Sequence, residues 1–144
     1  MESRKNIDAF NRICVSLFDK LYSAFPIPID ISTASLAESA VPEDASFDEA
    51  WEADSIADGA VTFLAEEGFL THHGGVIGGG EFSQARLTMK GLDILGYVPA
   101  ALEQKERSES LISRIHGIAS DGVKKASSET VRQVVSHIFS MATN

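Results

Sequence analysis

A chain of 144 residues and 15.5 kDa is long enough to bury a core, as one ordinary domain or as a domain with an appended helical segment. Its 44% hydrophobic and 23% charged residues exclude the composition of a wholly disordered chain. Twelve Lys and Arg against 21 Asp and Glu give a formal charge of -9, which repels polyanions unless a local basic patch forms.

Cys14 is the single cysteine, so no internal disulfide exists, and its neighbours Ile13, Leu17 and Phe18 make it a small buried hydrophobe. The opening MESRKNIDAF lacks the apolar stretch of a secretory signal, and no run reaches the ~18 apolar residues of a spanning helix. The expectation is a soluble protein in a reducing, cytoplasmic setting.

From Asn6 to Ala24, Ile7, Phe10, Ile13, Cys14, Leu17, Phe18, Leu21 and Tyr22 recur at three-and-four spacing, which predicts an amphipathic helix. FPIPIDI, residues 25–31, holds two prolines and must be extended, pairing as a short edge strand. Ser32 then caps a short helix carrying Leu36, Ala37, Ala40 and Val41, closed by Pro42. Ser46 and Glu49 form a capping box at the head of a longer helix that Gly68 stops. Trp51, Ile56, Ala60, Phe63 and Leu64 are expected on its buried side, with a break or bend near Asp54 and Ser55.

A short strand over Phe69 to His72 follows, then the loop HGGVIGGG, a return strand over Glu81 to Leu87, and a helix MKGLDIL capped by Thr88. Past Pro99 the composition turns polar, which places a module boundary near residues 99–110. Beyond it lies a helical tail whose apolar stripe includes Ile112, Ile115, Ala119, Val123, Ala126, Val134 and Ile138, with small residues such as Gly117 and Gly122 suited to close packing. Three surfaces could cover this stripe: the chain's own core, a second copy in a homodimer, or a membrane interface or other partner. The fold class expected is mainly α (α+β): a domain over residues 1–100 with a small β-hairpin, and a helical tail over 101–144.

Two phrases, FLAEEGFLTHH and ARLTMKGLDIL, carry a resemblance to the winged-helix superfamily over residues 6–98. The first is similar to the junction between a recognition helix and a wing. The second is similar to the "leucine, threonine, two residues, glycine" phrase that follows the wing in many bacterial winged-helix regulators. The resemblance implies a recognition helix over about Ser55 to Glu67 and a wing over Thr71 to Glu81. Between Lys20 and Arg86, however, there is no Lys or Arg, while twelve Asp and Glu fall in the same interval. Groove binding draws its affinity from phosphate neutralisation and much of its base reading from Arg, so this interval disfavours duplex DNA.

Other constellations point to little chemistry. His72 and His73 are neighbours on a strand and face opposite ways, so they do not chelate one ion together. GGVIGGG lacks the Lys-Ser or Lys-Thr of a phosphate loop and precedes a strand. It reads as a hairpin tip whose Val76 and Ile77 either fold back or are offered to a partner. With no nucleophile motif and no cofactor implied, the expected function is a non-enzymatic protein-interaction or regulatory module whose partner the sequence does not name. The alternative is a DNA-binding transcription regulator that contacts nucleic acid through Arg4, Lys5, Arg12, Arg86, Lys90 and tail residues.

Overall fold

The computed structural model describes residues 5–73, 79–96 and 110–143. It is mainly helical, with a small antiparallel sheet: α1 (Lys5–Ala24), β1 (Ile29–Ser32), α2 (Thr33–Ala37), α3 (Phe47–Glu66), β2 (Leu70–His73), β3 (Glu81–Leu87), α4 (Met89–Leu95), α5 (Leu111–Asp121) and α6 (Ser128–Ala142). The sheet order is β1-β3-β2, so β3 is central and the proline-containing segment leads to an edge strand. Opposite Asp30, β3 carries an extra residue, and Gln84 takes φ 52° there while its N–H donates to the Asp30 carboxylate at 3.1 Å. No helix among the described residues is long and apolar enough to cross a membrane.

The predicted caps form. Ser32 accepts from the Ser35 N–H, and Ser46 and Glu49 bond reciprocally at the start of α3. Gly68 ends α3 in the left-handed region at φ 86°, where a side chain would be strained. The junction with α4 explains the threonine-to-glycine phrase physically. Thr88 accepts from the Gly91 N–H at 3.1 Å and donates to the Gly68 carbonyl at 2.5 Å. Gly91 lies so close to strand-leading Phe69 that a Cβ would stand 2.4 Å from the Phe69 carbonyl oxygen.

Three expectations are corrected. α3 has no break at Asp54: that carboxylate accepts from the hydroxyl of buried Thr33 at 2.9 Å, which ties α2 to α3 without disturbing the helix. Nor do Trp51 and Phe63 belong to its buried side, which consists of Ala53, Ala57, Ala60, Val61 and Leu64, small residues that let α3 lie close to its neighbours. The tail is two helices rather than one, because Gly122 at φ 103° and a short 3-10 turn over Val123–Lys125 reverse the chain.

α1 is the axis of the molecule. Ile13, Cys14, Leu17, Phe18 and Leu21 are fully or almost fully buried, and so is Val15 on another face of the same helix. That other face is covered by the tail. Of the expected stripe, Ile115, Val123, Val134 and Ile138 are buried within this chain, and Ile112, Ala119 and Ala126 pack against the same core. Phe139 of α6 lies between Phe10 of α1 and Phe69, with ring centroids 6.0 and 5.7 Å apart. Side chains from both sides of the boundary expected at 99–110 therefore share one core, while most of that boundary lies outside the described residues.

Arg12 fixes this arrangement. Only 9% exposed, it donates through Nη1 to the carbonyls of Val123 and Ala126 at 2.7 and 2.9 Å, through Nη2 to Ser128 Oγ at 3.2 Å, and through Nε to Asp8 at 2.9 Å. A second link joins His116 Nδ1 of α5 to the Asp19 carboxylate at 2.9 Å. Arg12→Met should lower the unfolding free energy by about 1–3 kcal/mol in urea titrations, because it removes the Arg12 donor from the Ala126 carbonyl and one of two donors from the Val123 carbonyl, which keeps the Ala126 N–H at 3.3 Å. Gly91→Ala should cost about 1–3 kcal/mol by forcing α4 from the Phe69 backbone; a change in urea midpoint near zero for either variant would contradict the geometry described.

Candidate interaction surface

The capping box sets the position of the residues that follow it. With Ser46 as the cap, Phe47 is the first helical residue of α3 and Trp51 lies one turn on, so the two rings share a face. At 100° per residue that face is turned away from the buried alanine stripe. Phe47 is 71% and Trp51 68% exposed, the highest values among large hydrophobic residues described. Their rings stack, with centroids 6.3 Å apart and planes inclined by 13°. Asp48, Glu52 and Ser55 are exposed around them. Asp48 and Glu52 take part in no ion pair with a described Lys or Arg.

Glu49 is occupied differently. The Ser46 backbone N–H and then its hydroxyl hold the Glu49 carboxyl below the usual carboxylate range, with the charge of Lys5 adding to the effect. Glu49 also forms the rim of a groove of about 790 Å³ between α1, the residues before α3, α3 itself and the start of α6. Ile7, Val41, Pro42 and Ile56 supply its apolar lining. A second hollow, of about 500 Å³, lies between α5 and α6, with Arg114, Asp121 and Lys125 at its edges and Ile118 and Val134 inside.

The residues named from sequence for nucleic-acid contact do not stand free as a set. Arg12 is inside the fold. Lys90 donates to the Glu67 carbonyl at 2.8 Å and lies 5.0 Å from the centroid of the Phe69 ring, completing the end of α3. Arg86 reaches the Pro26 carbonyl at 3.5 Å, and Lys5 stands near Glu49. Arg4, Val76 and Ile77 lie outside the described residues.

The histidines and the cysteine are likewise placed by packing. His72 lies edge-on to Phe82 at 4.8 Å, with its Nδ1 buried and without a hydrogen-bond partner, while His73 is exposed. Among the described residues no group of three His, Cys, Asp or Glu is placed to hold a metal ion. Cys14 is completely buried, and burial pushes its thiol well above the ordinary range, which suppresses the thiolate.

No protein-family model, curated protein or solved structure matches this chain. Its surface chemistry therefore carries the functional reading. Sequence patterning assigned Trp51 to the core, and the signal that would have placed it outside is the four-residue repeat of acid and aromatic, Phe47-Asp48 and Trp51-Glu52, set against alanines at 53, 57 and 60.

If the ring pair has no part in holding the fold, replacing both by serine should change the unfolding free energy by no more than about 0.5 kcal/mol, as for other surface positions. Phe139→Ala, by contrast, should cost about 3–5 kcal/mol. Far-ultraviolet circular dichroism during urea unfolding measures both; comparable losses would assign Phe47 and Trp51 to the core.

Proposed function

We propose that this chain is a non-enzymatic protein-interaction or regulatory module built on a winged-helix-like fold. The fold part of the reading is supported by the order of elements from α1 to α4, by the strand order β1-β3-β2 and by the close Thr88–Gly91 junction with the end of α3. In that frame α3 occupies the place of a recognition helix. Fold alone names no ligand.

The observation that carries the functional part is the outer face of α3. It presents stacked aromatics among carboxylates where a duplex-reading helix would need cations. Such a face suits a protein surface, where aromatic anchors contribute most of the binding energy and a polar rim excludes water. The alternative, a DNA-binding regulator, would have to manage without Arg12 and with Lys90 engaged at the end of α3.

Two measurements test the proposal together. Titration with mixed-sequence duplexes at about 0.15 M ionic strength should give no saturable binding. Crosslinking capture from the native cell should yield protein partners with the wild-type chain that a Phe47→Ser/Trp51→Ser variant loses. Sub-micromolar, salt-sensitive duplex binding, or a partner set unchanged by the variant, would contradict the proposal.

A further inference from the structure

The chemistry of the α3 face narrows the kind of partner it fits. Stacking of Phe47 on Trp51 presents two adjacent, exposed aromatic rings as one platform. Aromatic ring faces carry negative potential and attract cations, Trp most strongly. The carboxylates Asp48 and Glu52 flank the platform on the same stretch of helix and pair with no described Lys or Arg, although Lys5 and Arg132 line the groove that Glu52 borders on its other side. The first 100 residues carry six Lys and Arg against sixteen Asp and Glu, a net of -10, so the long-range field has the same sign as the local one. Elsewhere the molecule makes this kind of contact internally, where Lys90 lies over Phe69 while donating to a carbonyl at the end of α3.

We infer that the outer face of α3 docks a Lys/Arg-rich segment of a partner protein, with one cationic side chain over the Trp51 ring and its neighbours paired to Asp48 and Glu52. This rests on reading the chain as an interaction module and adds the partner's chemistry. Arg suits the site particularly, because its planar guanidinium lies flat on a ring while its edge donates to carboxylates. An anionic lipid surface is disfavoured by the same charges that favour the basic segment.

Trp51 is the chain's single tryptophan, so the proposed anchor reports its own occupancy. The experiment selects phage-displayed random 12-residue peptides against the full chain, sequences the binders and titrates them as synthetic peptides. Binders should be enriched in Lys and Arg over the unselected library. They should shift Trp51 emission saturably and weaken several-fold as ionic strength rises from about 0.05 to 0.3 M. Labelled-peptide anisotropy should show at least tenfold weaker binding to Trp51→Ala and to Asp48→Lys/Glu52→Lys, with circular dichroism confirming that both variants fold.

Binders that are neutral or acidic, binders indifferent to both variants, or an absence of binders would overturn the inference. Sedimentation of the chain with phosphatidylserine vesicles in a Trp51-dependent manner would overturn it too. The two readings fail separately. A native partner that is lost with Phe47→Ser/Trp51→Ser, but that docks through a neutral or acidic segment, removes the basic-segment inference and leaves the interaction module standing.

Discussion

A buried guanidinium holds two parts of this chain together. Arg12 leaves α1 on the side opposite its apolar stripe and meets the turn between α5 and α6, where a left-handed glycine and a 3-10 turn leave carbonyls pointing inward. Four of its five donors are used, two of them on carbonyls of that turn. Lysine offers three donors from a single point and does not match this geometry. The anchorage is polar, but its effect is on packing: it sets the tail over the second face of α1, so that Val15, Val123, Val134 and Ile138 exclude water together.

The consequences run outward to the surface. With α1 covered on both sides, the aromatic chain Phe63, Phe10, Phe139, Phe69 and Phe18 runs from α3 through α1 and α6 to the residue before β2 and back to α1. α3 is then held by alanines that permit close approach, by the Phe63–Phe10 contact and by the Thr33–Asp54 hydrogen bond. Its other side, with Phe47, Trp51 and the carboxylates, faces outward. Presentation of aromatic side chains on one helix face is a recurring basis of helix-face recognition.

Local signals in the sequence translated well into structure. Ser32, Ser46 with Glu49, Gly68 and Thr88 each specify a helix end through bonds to residues three or four away, and such bonds do not depend on the remainder of the fold. Cys14 was legible because it sits in the middle of a continuous apolar stripe. Long-range facts were not. Arg12 entered the sequence reading only as a cation available to nucleic acid, and nothing singled out Asp19; the partners of both lie more than ninety residues away. Trp51 read as core because hydrophobicity rewards size, whereas close helix packing here selects alanine. The tail read as one helix because Gly122 alone is compatible with either a continuous helix or a reversal.

The central physical claim is that the tail and α1 form one cooperative core, leaving the outer face of α3 as the surface for a partner. Native-state amide hydrogen exchange at increasing denaturant measures this directly, since each amide reports the free energy of the opening that exposes it. Amides of Ile13 to Leu21 in α1 and of Val131 to Ile138 in α6 should converge on a single, global opening free energy. Exchange of the α6 amides at a much lower free energy, with α1 still fully protected, would contradict it.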